Sequence, residues 1–190
     1  MIGAQAKASF ERIFFDAART RLASGGGACD IAPAADEPPR ARRERPQPAA
    51  PAAQVAVLTI SALHFRLLLA LRFNDDDATR RYYAGGAEAG GAQPSLQEAF
   101  MEVANLCCGA MNQALTVHFP DLGMSTPYLL SDASIEYFTA LAPGHVAAFD
   151  VTLGDGVRVR ATLCICANAP VDFHAPATAA VDAGGELELF

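Results

Sequence analysis

Residues 98–112 read Glu-Ala-Phe-Met-Glu-Val-Ala-Asn-Leu-Cys-Cys-Gly-Ala-Met-Asn, and this stretch has the periodicity of an amphipathic helix. Apolar residues recur at spacings of three and four, so one helical face is suited to burial; they are Phe100, Val103, Cys107, Ala110, Met111 and Ala114. A second stripe carries Glu98, Glu102, Asn105, Gly109 and Asn112. Asn and Gly each cost up to about 1 kcal/mol against Ala inside a helix. Their presence there indicates a surface selected for something other than helix stability.

Glu102 and Asn105 lie three residues apart on this second stripe. Their spacing puts a carboxylate and a carboxamide on one face, with about 5–6 Å between the two residues. Gly109 follows one turn later and leaves room for a partner to come close. From spacing alone the stripe has two interpretations, the solvated face of an amphipathic helix or a polar site for binding and catalysis.

Hydrophobic patterns on both sides of this helix predict the remaining elements. Helices are expected over 8–23, 76–84 and 95–118, and strands over 55–60, 63–73, 124–130 and 135–141. The clearest strand signal is a hairpin, 147–153 and 157–166, in which apolar and polar residues alternate across Gly154-Asp155-Gly156. Each long helix needs a surface for its apolar stripe. The expected fold is therefore α/β, an antiparallel sheet covered on one face by long helices.

The chain divides by composition into four parts. Residues 1–23 form an N-terminal helix, 24–53 a disordered linker rich in Pro, Ala and Arg, 54–168 the folded domain and 169–190 a flexible tail. The linker contains the basic run 40–45 between its prolines. It has too little apolar surface to offset the entropy of ordering, so a solvated tether is favoured over an interaction patch.

Charge and composition exclude several classes of function. The net charge of −7 and the pI near 5.0 argue against nucleic acid or an anionic membrane as the main partner. No stretch of about 18 apolar residues predicts a transmembrane helix, and the N-terminal segment does not resemble a signal peptide. Five cysteines, an odd number, fit a reducing compartment, and we expect a cytoplasmic location.

Candidate catalytic groups outside the central helix are few. The serines of the chain lack the sequence of a nucleophile elbow, and neither a Walker A loop nor a G-x-G-x-x-G motif occurs in it. The cysteines and the four histidines do not have metal-ligand spacing, so no metal site is predicted and the thiols are expected to be apolar and buried or half-buried. Asp75, Asp76 and Asp77 are explained by helix capping.

The central motif extends beyond the helix. Glu102-x-x-Asn105-x-x-x-Gly109 is followed by Asn112 and then by the segment Met124-Ser125-Thr126-Pro127-Tyr128-Leu129-Leu130-Ser131. This order resembles the CheX branch of the CheC, CheX and FliY chemotaxis phosphatases, in which an E-x-x-N helix precedes a short strand carrying Ser/Thr-Pro. The resemblance covers residues 54–168, and the chain carries one copy of the motif, whereas the CheC branch carries two.

The resemblance implies a function for the stripe. The substrate would be the aspartyl phosphate of a CheY-type receiver domain, with Mg²⁺ supplied by that partner and no cofactor bound by this chain. Asn105 would orient the attacking water, and Glu102 would pair with the active-site lysine of the receiver. Gly109 would permit close approach, and Glu98 and Asn112 would contact the partner at the rim.

Two alternatives accompany this prediction. One is a non-catalytic adaptor of the same fold that binds a receiver domain or a motility or signalling complex, and the other is a structural relative of the flagellar switch proteins. Retention of both Glu102 and Asn105 favours the phosphatase. The resembled family also includes homodimers built through the sheet, which implies that an edge strand such as 55–60 or 157–166 would pair across a two-fold axis.

Overall fold

The computed structural model of the chain describes residues 1–23, 27–35, 53–85 and 94–176. Its α-helices are α1 (Ala4–Arg21), α2 (Asp77–Ala84) and α3 (Leu96–Thr116). Its strands are β1 (Cys29–Pro33), β2 (Gln54–Ser61), β3 (Phe65–Phe73), β4 (Gly123–Met124), β5 (Tyr128–Ser131), β6 (His145–Leu153) and β7 (Arg158–Ala167). The strands form one antiparallel sheet in the order β1-β6-β7-β3-β2-β4, and β5 also pairs with β2.

The long helices cover one face of this sheet. Alternate residues of β3, namely Leu67, Leu69 and Leu71, are fully buried in the same core as the apolar faces of α1 and α3. The opposite face has a smaller apolar cluster that includes Val57 and Phe138. The predicted fold class is therefore confirmed, because the period-two strands and the period-3.6 helices bury their apolar sides against each other.

Helix α1 packs against the rest of the domain. Phe10 and Phe14 are fully buried, and the Phe10 ring lies edge-on to Phe65 with 5.2 Å between ring centroids. The Glu11 carboxylate lies 2.8 Å from Nε2 of His145 at the start of β6. The N-terminal helix is thus part of the domain. Within the described ranges, no helix is long and apolar enough to cross a membrane.

Parts of the predicted linker and tail are ordered, which corrects two boundaries. Strand β1 lies inside the predicted linker and pairs with β6, with Ile31 opposite Val151. The start of the predicted tail bridges Ile2 at Val171, and the Ala175 N–H donates to Ser9 Oγ at 3.0 Å. These segments are held by long-range backbone pairing, which local composition does not reveal. The rest of the predicted linker and tail, 24–26, 36–52 and 177–190, lies outside the described residues, as does 86–93.

The predicted strand 135–141 is wrong, because the chain forms a 3₁₀-helix at Asp132–Leu141. This helix lies over the sheet face opposite to α1 and α3, where Phe138 is buried against the cluster that contains Val55 and Val57. Its first residue, Asp132, accepts a salt bridge from Arg72 Nε at 2.9 Å. The 3₁₀-helix thus covers an apolar patch of the sheet, and burial of that patch stabilises the fold.

The two strands proposed for dimer pairing are not edge strands, which corrects that expectation. Strand β2, which contains 55–60, pairs with β3 on one side and with β4 and β5 on the other. Strand β7 lies between β6 and β3. Since their backbone groups already have partners on both sides, neither strand is available for pairing with a second copy. Among the described strands, the sheet ends at β1 and at β4 and β5.

Candidate functional site

Helix α3 begins at a capping box. Ser95 Oγ accepts a hydrogen bond from the Glu98 N–H at 3.2 Å, and the Glu98 carboxylate accepts from Ser95 N at 2.8 Å and from Ser95 Oγ at 2.9 Å. These bonds hold the pKa of Glu98 below its ordinary value. The Glu98 carboxylate therefore stabilises the start of the helix. This differs from the rim contact with a partner that the sequence predicted for it, which stays a prediction.

The buried side of α3 fixes which residues point outward. Phe100 is fully buried and stacks on Phe73 with 3.9 Å between ring centroids, and Cys107 and Met111 are fully buried further along the helix. The helix packs against α1, α2, β2 and β4. Packing on this many sides holds α3 in one rotational setting, so the direction of its outer face is determined by the core.

Glu102 and Asn105 lie on the outward side of α3. Glu102 is exposed and Asn105 is half-buried. Within the described part of the chain, neither side chain has a hydrogen bond or an ion pair. A carboxylate and a carboxamide are thus presented together on a rigid helix, without partners among the described residues. This is the arrangement that the spacing of three residues predicts.

Gly109 lies in the interior of the same helix and faces open space. Among the described residues, a Cβ atom added at Gly109 would meet no heavy atom within 4 Å outside the neighbouring backbone of its own helix. The packing of this chain therefore does not require a glycine there, although glycine costs about 1 kcal/mol relative to alanine inside a helix. The open surface next to Asn105 is the feature that a closely approaching partner needs.

Asn112 differs from the other members of the stripe. Its Oδ1 atom is buried and has no hydrogen-bond partner among the described residues. That oxygen cannot contact an external partner unless its surroundings move. A buried carbonyl oxygen without a partner costs about 1–3 kcal/mol. The structure thus sets Asn112 apart from Glu102 and Asn105, and its role as a partner contact stays a prediction.

The Ser-Thr-Pro segment forms the strand edge next to α3. The Ser125 N–H donates to Thr59 O at 2.9 Å, and Ser125 Oγ accepts from Thr59 N at 2.9 Å. Pro127 has no N–H and separates β4 from β5. The Ser125 hydroxyl continues the pairing with β2 where the strand is interrupted, so its role is structural.

The similarity of this chain to known proteins lies in its fold. Neither the protein-family models nor the curated protein sequences match this chain. Solved structures do: CheX from Vibrio vulnificus is 14% identical with a TM-score of 0.53, and 85% of this chain aligns with 99% of that one. CheX from Desulfovibrio desulfuricans is 15% identical with a TM-score of 0.50, over 82% of this chain and 98% of that one.

A third match is the CheX-CheY-BeF3-Mg²⁺ complex from Borrelia burgdorferi, which is 10% identical with a TM-score of 0.51 over 84% of this chain and 96% of that one. The chain has a CheX-like fold. At identities of 10–15%, these similarities show the fold of the chain alone. The resemblance seen in the sequence is therefore confirmed at the level of the fold.

The cysteines of the CheX-like fold are mainly part of its core. Cys107, Cys108 and Cys164 are buried, and Cys29 and Cys166 are half-buried. Burial raises the pKa of Cys108 to about 12, so this thiol is protonated at neutral pH. Over residues 1–23, 27–35, 53–85 and 94–176, no three His, Cys, Asp or Glu side chains are grouped so that they could hold a metal ion.

Sequence reasoning missed two exposed apolar residues on the outer side of α3. Leu106 is 44% exposed beside Glu102, and Val117 is 82% exposed at the C-terminal end of the helix. A signal for them was present in the sequence. After Glu102, no charged residue occurs up to Val117, although a surface helix normally carries charge on its solvent side.

Proposed function

We propose that this chain is a phosphatase that hydrolyses the aspartyl phosphate of a CheY-type receiver domain. The observation that carries the proposal is the joint presentation of Glu102 and Asn105 on the outer face of α3, beside the open surface at Gly109. The CheX-like fold supports it, since one of the similar structures holds a CheX protein together with CheY, BeF3 and Mg²⁺. The proposal includes the cytoplasmic location predicted from the sequence.

Asn105 is the residue to which we assign the catalytic role. An aspartyl phosphate is an acyl phosphate and is already reactive, so its hydrolysis needs a positioned water more than a protein nucleophile. The carboxamide of Asn105 can accept and donate hydrogen bonds at once, which suits it to hold a water in line with the phosphorus atom. Asn105 is half-buried on a helix fixed by its core. The core thus fixes the backbone from which the Asn105 carboxamide extends before the partner arrives.

Glu102 is the residue to which we assign recognition of the partner. It is exposed one turn before Asn105, so its carboxylate can reach a cation on an approaching surface. A charge-assisted contact with the active-site lysine of the receiver would fix the register in which Asn105 meets the phosphoryl group. In this proposal the receiver holds the Mg²⁺ that neutralises the phosphoryl oxygens, and this chain supplies no cofactor.

The test measures the decay of radiolabelled phospho-receivers from the same organism. Asn105→Ala should lose about 10²–10³-fold of the rate enhancement while binding and folding are kept. Glu102→Ala should also weaken binding. Asn74→Ala and Glu136→Ala are matched controls, since these exposed residues lie outside the α3 stripe. Both controls should dephosphorylate like the wild type.

Two results would reject the proposal in different ways. Equal rates for the wild type and Asn105→Ala would reject the catalytic role of Asn105. Binding of a receiver without any acceleration of its dephosphorylation by the wild type would favour the non-catalytic adaptor instead.

A further inference from the structure

The outer face of α3 beyond Glu102 forms an uncharged stripe, which we define as Leu106, Gly109, Gln113 and Val117. These residues follow Glu102 at spacings of four, three, four and four, so they lie along one line of the helix. From Leu106 to Val117 the stripe is about 17 Å long at 1.5 Å per residue. Centres of protein interfaces are depleted in charge, whereas solvent-facing helix surfaces are rich in it. The uncharged stripe has the composition of a covered surface.

The stripe borders a groove between α1 and α3. This groove has a volume of about 450 Å³, and Val117 is among its lining residues. Its lining is mixed: the apolar part comes from Ile13, Ala17, Ala110 and Ala114, and the polar or charged part from Arg12, Asp16, Thr20 and His118. The large exposed apolar side chains of this face thus lie at Leu106, one turn after Glu102, and at Val117, which borders the groove.

We infer that the receiver domain is held by a second, apolar contact along the uncharged stripe, with Leu106 and Val117 as its anchors. This inference rests on the proposed function, because the stripe is continuous with Glu102 and Asn105 on the same helix face. At the other end of that face the Glu98 carboxylate is engaged in the capping box, and to one side the Asn112 oxygen is buried. The docked surface thus extends from Glu102 towards the C-terminal end of α3.

The stripe sets affinity and partner choice, whereas Asn105 sets the rate. Leu106 and Val117 have apolar side chains that cannot act on the phosphoryl group, so they contribute equally to the ground state and the transition state. Covering the 44% of Leu106 that is exposed corresponds to part of the transfer energy of a leucine side chain. Truncation of the Leu106 side chain to alanine should raise Kd and KM about 3- to 10-fold and leave kcat unchanged.

The experiment compares Leu106→Ala and Val117→Ala with Leu141→Ala as the matched control. Leu141 is 48% exposed and belongs to the 3₁₀-helix on the opposite face of the sheet. Kd is measured by calorimetry with receiver domains held in BeF3 and Mg²⁺, and KM and kcat from decay of the phospho-receivers. Leu106→Ala should raise Kd and KM, the double variant should raise them further, and Leu141→Ala should change neither.

The possible failures can be told apart. Wild-type binding without acceleration, but with weaker binding by Leu106→Ala, would reject the phosphatase and support the stripe. Acceleration by the wild type with the same KM for Leu106→Ala and Leu141→Ala would overturn the stripe and leave the phosphatase intact. If Leu106→Ala instead lowers the self-associated mass of the chain alone in light scattering, the stripe binds a second copy and the inference is wrong. Absence of any receiver binding would overturn both.

Discussion

Replacing Gly109 with alanine should stabilise the fold and impair the proposed reaction in the same variant. Gly109 lies inside the 21-residue helix α3, where glycine is about 0.8–1.0 kcal/mol less favourable than alanine. The added methyl group meets no heavy atom of the other described elements within 4 Å, so no steric clash with them offsets this gain. The free energy of unfolding should rise by about 1 kcal/mol, and Tm by about 2–4 °C for a chain of this size. The same methyl group occupies the space through which a receiver would approach Asn105.

Urea denaturation gives the stability change, and decay of phospho-receivers gives the activity. Gly109→Leu extends the series, because a larger side chain in open space should keep helix stability but reduce receiver binding further. Unchanged or lower stability of Gly109→Ala would refute the packing argument at this position. Higher stability with wild-type dephosphorylation would refute the role of Gly109 in close approach.

The other predictions concern the capping box and the thiols. Ser95→Ala should lower the free energy of unfolding by about 1 kcal/mol in urea denaturation at pH 7, and a value equal to the wild type would show that the capping box does not stabilise α3. The capping box lowers the pKa of Glu98 in the folded chain. Its contribution to the free energy of unfolding is therefore present above the pKa of glutamate in the unfolded chain, about 4.3, and is lost as pH falls through the folded pKa. The difference in free energy of unfolding between wild type and Ser95→Ala should thus shrink towards pH 3. Buried Cys107 and Cys108 should resist iodoacetamide in the native protein at pH 8, while half-buried Cys166 reacts. Mass spectrometry measures the labelling of each cysteine, and early labelling of Cys107 or Cys108 would contradict their burial.

Elements with a strong local pattern were predictable from the sequence. The hairpin of β6 and β7 has alternating residues and a Gly-Asp-Gly turn, in which Gly156 adopts a φ of 76° that favours glycine. Helix α3 combines a capping box with a 3.6-residue apolar period. The pairing of Glu102 with Asn105 on one face follows from helical geometry alone.

Elements that depend on long-range pairing were not predictable. Strand β1 is a five-residue segment in a proline-rich region, and its pairing partner is β6, more than a hundred residues later in the chain. Residues 135–141 have strand-like composition, yet they belong to a 3₁₀-helix whose apolar side chains pack on sheet residues that are distant in the sequence.

The sequence by itself determined the helix that carries the candidate site, because capping and periodicity act within a few residues of one another. Only the tertiary structure decided which groups on that helix remain available to a partner. The burial of the Asn112 oxygen and the open space beside Gly109 result from the packing of α3 against elements that are distant in the chain. Such packing depends on contacts between residues far apart in sequence, and a local sequence pattern does not predict those contacts.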